Sequence, residues 1–396
     1  MNSSKKLIYI ANLRLPTEKA YGIQIAKMCE AFALLKFKVD PPAGRPGSEK
    51  LKITDVELIA PTRKNNIKQD FFEYYNVKKN FKFKLVQSPD FYWPGFLDRL
   101  IFYIKNYFSA KALVNEALKE GADFYYTRDE LVAKILKKKN KNVIFECHRF
   151  SNNRRSFYSY FKKTNLKIAA ISSGLKDDLI KFGINSSNVL VAPDGVDLEE
   201  FNIDLSREEA RKLINLPTDK KIVMYAGHLF EWKGTDVLLE VARNFQKNND
   251  LLFVFVGGTE YDIEKFKEKT SGLDNILILG HRPHKEIPIY LKSADVLVLP
   301  NSAKEEISRF YTSPLKLFEY MASKRPIVAS GTPAIKEILN NSNSIIVEPD
   351  RPDLLADDIR MAIAGGAEVD QLCQSAFSEV QNYTWQKRAG NILDFI

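Results

Sequence analysis

The sequence predicts an α/β protein with two doubly wound units, each a parallel sheet covered by helices on both faces. Apolar runs of strand length alternate with helical patterns through most of the 396 residues. Strands buried on both faces have such near-continuous apolar sequences, and parallel strands need long crossovers that are usually helices. The chain is also long enough to build two cores.

The second half shows this alternation most regularly. After Lys221, six apolar runs are typical of strands, and helical patterns lie between most of them. The predicted strands are 222–226, 251–256, 275–279, 294–299, 326–330 and 344–347, and the predicted helices include 235–245, 286–293 and 334–339.

The first half repeats the scheme more loosely, with a predicted helix at 22–35. Its predicted strands are 6–11, 57–60, 124–126, 143–147, 168–171 and 189–192. The two units are of similar size and join near 193–201. Ligands of such sheets bind beyond the carboxyl ends of the strands, so we expect a site there, in a crevice between the units.

Composition excludes several classes of protein. The three cysteines, Cys29, Cys147 and Cys373, are scattered, and no histidine lies at ligand spacing from them. This argues against a disulfide framework and a structural zinc, and it favours a reducing cytoplasm. The first 13 residues do not show a signal-peptide pattern. The net charge of +9 fits nucleic acid, anionic lipid or a phosphorylated small molecule as partner, or only a solvated surface, and no nucleic-acid motif is visible.

The segment 313–331, SPLKLFEYMASKRPIVASG, predicts a helix followed by a short buried strand. Ser313 is a good N-cap, Pro314 suits the first helical position, and Glu319 lies about a turn and a half further along. A helix N-terminus suits a phosphate, and a nearby carboxylate suits a sugar hydroxyl. The segment therefore predicts a nucleotide site, with a well-capped core helix as the alternative.

A second segment, 227–234, follows the predicted strand 222–226. Gly227 allows close backbone approach, and Lys233 is placed to reach an anion at the carboxyl edge of the sheet. The alternative is a solvated loop lysine.

Six segments in register resemble family-4 glycosyltransferases of the GT-B fold. They are 192–201, 227–234, 256–258, 279–281, 313–330, and Thr384-Trp385 with Arg388. They are similar, in that order, to the interdomain signature, the diphosphate loop, two strand ends, the nucleotide-sugar helix and the closing C-terminal helix. The resemblance implies two Rossmann-like domains facing a central cleft. Residues 1–195 would bind the acceptor and 196–380 the nucleotide sugar, with a helix at about 380–396 packing back on the first domain.

The resemblance also implies residue roles. Lys233 would bind the donor phosphate beside Gly227 and His228, where His228 replaces the usual arginine. Ser313, Pro314 and Leu315 would present the helix N-terminus to the diphosphate. Glu319 would hold the ribose and Arg282 would lie at the base. The family's earlier glutamate falls at Tyr311, so Tyr311, Lys316, Glu305 and Glu306 are the candidates for recognising the donor sugar.

The first domain has its own candidates. His148, in Phe145-Glu-Cys-His-Arg149, follows a predicted strand and resembles the family's histidine near the reacting sugar. The alternative is a buried structural histidine. Arg128 and Asp129 end another predicted strand, and Gly22 would let the first helix approach a phosphate.

The implied reaction is sugar transfer from a nucleoside diphosphate sugar to an acceptor hydroxyl, with retention, in glycan, glycolipid or cell-surface polysaccharide synthesis. His148 and Lys233 would be catalytic, since Lys233 and the helix dipole would stabilise the departing diphosphate. No Asp-x-Asp motif lies at a strand end, so we expect neither a metal nor another cofactor. The alternatives are a sugar-nucleotide 2-epimerase and a noncatalytic basic protein that binds glycan or nucleic acid.

Residues 71–108 are unusually aromatic and basic. This composition fits an anionic membrane surface, where a lipid-linked acceptor would lie, although the aromatic side chains could instead form core. The residues chosen for this surface are Trp93, Phe96, Arg99 and Lys105. We therefore expect a cytoplasmic protein that is peripheral on the inner face of the membrane. The Pro- and Gly-rich segment 40–50 predicts an exposed loop.

Overall fold

A computed structural model describes residues 5–35, 53–91 and 98–396. The predicted loop 40–50 lies outside these residues, as do Trp93 and Phe96, and the side chain of Arg99 is also not described. The chain divides into two compact units: unit 1 is Met1–Pro193 with Trp385–Ile396, and unit 2 is Asp194–Thr384. The sequence analysis predicted a boundary between residues 195 and 196, and it predicted that the C-terminal helix packs on the first unit.

Unit 1 contains a seven-stranded parallel sheet in the order β3-β2-β1-β4-β5-β6-β7. Its strands are β1 (Lys5–Ile10), β2 (Ile53–Pro61), β3 (Lys82–Val86), β4 (Phe124–Thr127), β5 (Val143–Cys147), β6 (Lys167–Ala170) and β7 (Val189–Val191). Its helices are α1 (Ala20–Leu34), α2 (Phe71–Tyr75), α3 (Asp98–Glu120), α4 (Glu130–Lys138), α5 (Arg155–Lys163), α6 (Ser173–Lys181) and, at the end of the chain, α17 (Trp385–Asp394).

Unit 2 contains a six-stranded parallel sheet in the order β10-β9-β8-β11-β12-β13. Its strands are β8 (Lys221–Ala226), β9 (Leu251–Val256), β10 (Ile276–Gly280), β11 (Val296–Leu299), β12 (Ile327–Ser330) and β13 (Ile345–Val347). Its helices are α7 (Leu198–Phe201), α8 (Arg207–Leu213), α9 (Thr235–Asn244), α10 (Glu260–Lys269), α11 (Ile287–Ser293), α12 (Glu306–Phe310), α13 (Leu315–Ala322), α14 (Pro333–Lys336), α15 (Pro352–Ala364) and α16 (Ala367–Val380).

The strand order of each sheet reverses at one point, and this point positions the candidate sites. In unit 1 the reversal lies between β1 and β4, and in unit 2 between β8 and β11. Helical connections leave in opposite directions there, which opens a crevice at the carboxyl ends of the strands. Apolar residues of the strands fill the core of unit 2 on both faces of its sheet, since one hydrophobic cluster includes Met224 and the other includes Val223.

The sequence analysis missed one strand of the sheet in unit 1. β3 lies inside the aromatic, basic stretch, where lysines alternate with Phe83 and Leu85. It is an edge strand, whose half-exposed sequence does not resemble a buried run. Lys82 and Lys84 form ion pairs with neighbouring carboxylates, at 3.4 and 2.8 Å. The aromatic residues before β3 belong largely to the core, since Phe71, Tyr75 and Phe81 are buried.

A buried ion pair fixes α8 against the sheet of unit 2. Arg211, only 2% exposed, donates to the carbonyl oxygens of Ser293 and Lys220 at 2.9 and 2.8 Å. Its Nη2 lies 2.6 Å from Asp295 Oδ2, which also accepts from the Ile222 amide at 2.6 Å. Asp295 Oδ1 also accepts from Arg207 Nη1. Removing Asp295 would be costly, because the buried charge of Arg211 would keep only two carbonyl oxygens as partners.

Candidate functional site

The loop after β8 is held close to the sheet by two glycines. Gly227 has φ 137°, and a Cβ there would lie 3.7 Å from Lys316 Nζ. Gly234 has φ 74°, and a Cβ there would lie 1.7 Å from the carbonyl oxygen of Pro300, just after β11. Both positions need glycine because of backbone conformation, and Gly234 also because of close approach. The loop is thus anchored at the point where the strand order reverses.

Lys233 lies in the turn of residues 231–233 at the end of this loop. Its Nζ is 5.2 Å from the centre of the Trp232 ring. Burial lowers the pKa of Lys233 to about 8, and the charge of Asp262 opposes this only in part. Within residues 5–35, 53–91 and 98–396, no carboxylate forms an ion pair with this ammonium group.

Lys316 in α13 is a second cation next to the loop. It is 6% exposed, and its Nζ lies 3.8 Å from the centre of the Tyr225 ring. Burial and the charge of Lys233 lower its pKa well below the usual value, against the effect of Glu319. Among the described residues its Nζ has no hydrogen-bond partner. Lys316 is buried and Lys233 is half-buried, so two neighbouring cationic side chains make this loop a candidate binding site for an anion.

The start of α13 differs from the prediction by one residue. The helix begins at Leu315, and Pro314 is its N-cap in an extended conformation. Ser313 does not cap the helix, because its hydroxyl instead accepts a hydrogen bond from the Asp194 amide at 2.9 Å. No described side chain caps this N-terminus. The Leu317 amide donates to the Pro314 carbonyl oxygen at 2.9 Å, so the amides of Leu315 and Lys316 are the ones that could meet an anion.

Glu319 is paired with a histidine that the sequence analysis missed. The carboxylate is 8% exposed, and its Oε1 accepts from His284 Nε2 at 2.8 Å. On the other side of the ring, His284 Nδ1 lies 3.9 Å from Glu200 Oε2. The histidine follows β10 by four residues, so only the folded structure shows that it meets a helix 35 residues further along.

The other predicted residues of unit 2 are more peripheral. The His228 ring stacks on Phe230 with centres 5.0 Å apart, and its Nδ1 lies 3.4 Å from Asp262 Oδ2. Arg282 lies over the Tyr290 ring at 6.0 Å. Tyr311 is half-buried after α12, whereas Glu305 and Glu306 are exposed. Of the predicted residues of unit 2, the structure brings Gly227, Lys233 and Lys316 together.

His148 lies at the carboxyl end of β5 in unit 1, with 22% of its side chain exposed. Its Nε2 shares a hydrogen bond with Oε1 of Glu146, a fully buried carboxylate that the sequence analysis missed. Burial and the charge of Arg128 lower the pKa of His148 to about 4, against the effect of Glu146. The only sequence signal for Glu146 is one charge within an apolar strand.

Arg128 belongs to the same group of residues, because its Nη1 donates to Gln24 Oε1 at 3.0 Å. Asp129 has a structural role, since it caps α4 by accepting from the Val132 amide at 2.9 Å. Gly22 is the third residue of α1 rather than its first, because the helix begins at Ala20. A Cβ at Gly22 would lie 2.1 Å from the Tyr75 hydroxyl, so packing alone already requires this glycine.

Comparison with known proteins agrees with this architecture. Residues 206–377 match the family described as glycosyl transferases group 1. A D-inositol 3-phosphate glycosyltransferase of Catenulispora acidiphila is 25% identical over 57% of this chain and 56% of its own length. The putative teichuronic acid biosynthesis glycosyltransferase TuaC of Bacillus subtilis is 24% identical over 48% and 45%. The chain spans about half the length of these curated relatives.

Solved structures match over nearly the full length. A glycosyltransferase from Rickettsia africae has a TM-score of 0.72 at 18% identity, covering 99% of this chain and 97% of that one. Anabaena HepE in complex with UDP-glucose has a TM-score of 0.71 at 14% identity, covering 99% and 100%. The chain has the two-domain Rossmann-like GT-B fold. The match of residues 206–377 and the curated relatives support an enzyme of the glycosyltransferase type.

Proposed function

We propose that the protein transfers a sugar from a nucleoside diphosphate sugar to an acceptor hydroxyl, with retention of configuration. The observation that carries this proposal is the pair of lysines, Lys233 and Lys316, without a counterion among the described residues. A diphosphate would supply negative charge that pairs with these cations. Anabaena HepE, which shares the fold, binds UDP and UDP-glucose.

Each residue then has a physical task. Lys233 and Lys316 bind the diphosphate and stabilise its charge as the glycosidic bond breaks, aided by the uncapped N-terminus of α13. Glu319 accepts from the ribose hydroxyls, with His284 fixing the carboxylate from the other side. His148 contacts the reacting sugar or the acceptor.

The two lysines also bear on whether the reaction needs a divalent metal ion. Cations that neutralise a leaving diphosphate do the work that a divalent ion does elsewhere. We therefore propose a metal-independent reaction. Transfer should continue at an unchanged rate in EDTA, and a loss of rate that Mg²⁺ restores would contradict this.

A thermal-shift screen of UDP-, GDP- and ADP-sugars tests donor binding. A ligand present at 100 times its Kd should stabilise the protein by about 2.7 kcal/mol. Lys316→Met should remove about half of this stabilisation or more. Lys324→Met is the matched control, because Lys324 also lies over an aromatic ring, 4.0 Å from the centre of Phe377, but is exposed and follows the C-terminal end of α13. An equal loss in both variants would contradict the assignment.

We also propose that unit 1 meets an anionic membrane surface, which carries a lipid-linked or glycan acceptor, on the cytoplasmic side. The N-terminal half of α3 supports this, because six apolar side chains there are each 41–56% exposed. They are Leu100, Phe102, Tyr103, Ile104, Tyr107 and Phe108. Four of them, at 100, 103, 104 and 107, form one helical stripe. Lys111 Nζ lies 5.5 Å from the centre of the Tyr107 ring, so a cation accompanies the stripe.

Flotation with liposomes of anionic lipid tests this surface. No described helix is long and apolar enough to cross a bilayer. Tyr103→Asp with Tyr107→Asp should abolish binding, whereas Tyr261→Asp, at a tyrosine of unit 2 that is 64% exposed, should not. Wild-type protein that stays unbound at low salt would refute the proposal.

A further inference from the structure

Glu146 is the centre of a hydrogen-bond network in unit 1 that ends at His148. Its Oε1 accepts from Gln24 Nε2 at 2.5 Å and from His148 Nε2. Its Oε2 accepts from the Tyr126 hydroxyl and from Arg388 Nη1 at 3.2 Å. A carboxylate has about four lone-pair sites, so all of them are occupied. The fully buried group therefore has one orientation.

The partners of Glu146 are themselves oriented. Gln24 accepts from Arg128 through its Oε1, so its amide nitrogen must face Glu146. Arg388 of α17 is held by the carbonyl oxygens of Ala192 and Pro193, at 3.2 and 2.9 Å. The carboxylate thus receives hydrogen bonds from α1, β4 and α17, while β5 carries it.

The network also fixes the charges. Burial raises the pKa of Glu146, but the charges of Arg388 and Arg128 and the hydrogen bond from His148 lower it well below the usual range. The pKa of His148 is lowered to about 4 by burial and by Arg128. At neutral pH a carboxylate therefore faces a neutral imidazole. Since a carboxylate only accepts, the proton between them belongs to His148 Nε2.

The other ring nitrogen is then an acceptor. Among the described residues, His148 Nδ1 has no hydrogen-bond partner, and the side chain is 22% exposed. We propose that Glu146 is a positioning residue that holds His148 in the Nε2–H tautomer, so that Nδ1 accepts a hydrogen bond from a substrate hydroxyl. The tautomer follows from unit 1 alone, and only the hydroxyl rests on the proposed function.

Nitrogen-15 NMR of the full chain, labelled at histidine, tests the tautomer without any substrate. The chain has four histidines, so His148→Gln assigns the signals of His148. We expect the neutral Nε2–H form in the wild type at pH 7.5. In Glu146→Gln the new amide can donate to Nε2, so the ring should shift toward the Nδ1–H form. Glu57→Gln is the matched control, because Glu57 is also a buried strand carboxylate, paired with Lys6 at 2.9 Å.

Kinetic measurements distinguish a positioning role of Glu146 from a purely structural one. Glu146→Gln should lower kcat roughly 10- to 100-fold, the range found when a hydrogen-bond partner of a metal-binding histidine is lost, with little change in the donor KM. A wild-type protein with the proton on Nδ1 overturns the inference, even if the variant does not fold. An unchanged tautomer or an unchanged kcat in Glu146→Gln also overturns it. A wild type that shows the Nε2–H form but transfers no sugar contradicts the proposed function instead.

Discussion

Lys316→Met should make the protein more stable and, at the same time, a poorer binder of its donor. The buried ammonium has no anionic partner among the described residues, and burial and Lys233 lower its pKa well below the usual value. Methionine keeps much of the apolar stem and removes the charge. Functional sites often carry such a stability cost.

The magnitude follows from two opposing effects. The variant loses a contact between Lys316 and the Tyr225 ring, worth about 0.5–2 kcal/mol, but it also loses a desolvation cost of several kcal/mol. The net gain in the free energy of unfolding should be about 1–3 kcal/mol. In a unit of this size, each kcal/mol raises Tm by about 2–4 °C. Donor affinity should fall about 10- to 100-fold, as expected for the loss of a charged hydrogen bond.

Calorimetry without ligand and titration with UDP or another matching nucleotide measure the two effects. The pH dependence adds a check. A lysine whose pKa is lower in the folded state costs stability below that pKa, and this cost disappears as pH rises to the unfolded value near 10.4. The wild type should therefore gain more stability between neutral pH and pH 10 than Lys316→Met. A less stable variant with unchanged nucleotide affinity would refute the reasoning.

Four further predictions concern single residues. Glu319→Ala should weaken nucleotide binding by about 1.5–3 kcal/mol, since it removes a charged acceptor, and calorimetry that shows unchanged affinity would exclude Glu319 from the site. Lys233→Ala should lower kcat by roughly 100-fold or more, and donor binding to the wild type should weaken above about pH 8 as Lys233 loses its proton. His148→Ala should abolish transfer and leave nucleotide binding intact, whereas loss of folding would support a structural histidine. Asp295→Ala should destabilise unit 2 by about 3–5 kcal/mol in denaturant titration, because Arg211 would remain buried without its partner, and a change below 1 kcal/mol would show that the ion pair is dispensable.

The strands could be predicted where the sequence is continuously apolar. All six strands of unit 2 were predicted, with ends shifted by a residue or two. β3 was not, because an edge strand with alternating lysines resembles an exposed basic segment. Residues 71–108 show that composition alone does not predict burial. Phe71 is buried in the core and Phe102 is exposed, although both lie in the same aromatic, basic stretch.

Functional residues could be located only where local sequence carries them. The loop 227–234 and the helix with Glu319 are contiguous segments, so their positions at strand ends were predictable. The role of Ser313 was not predictable, because its hydrogen-bond partner, the Asp194 amide, lies 119 residues away. Glu146 was missed for the same reason, since its partners come from positions as distant as 24 and 388. Long-range pairing of this kind is decided by tertiary structure and leaves no local pattern.

Phosphorus-31 NMR of the full chain with nucleoside diphosphate sugars and a membrane and glycan extract tests the central claim most directly. It distinguishes an intact nucleotide sugar from a free nucleoside diphosphate. We predict acceptor-dependent release of the nucleoside diphosphate, at a rate that Lys233→Ala lowers and Lys324→Met does not. A nucleotide sugar that stays intact while its sugar changes configuration, or one that remains unbound and unchanged, would contradict sugar transfer.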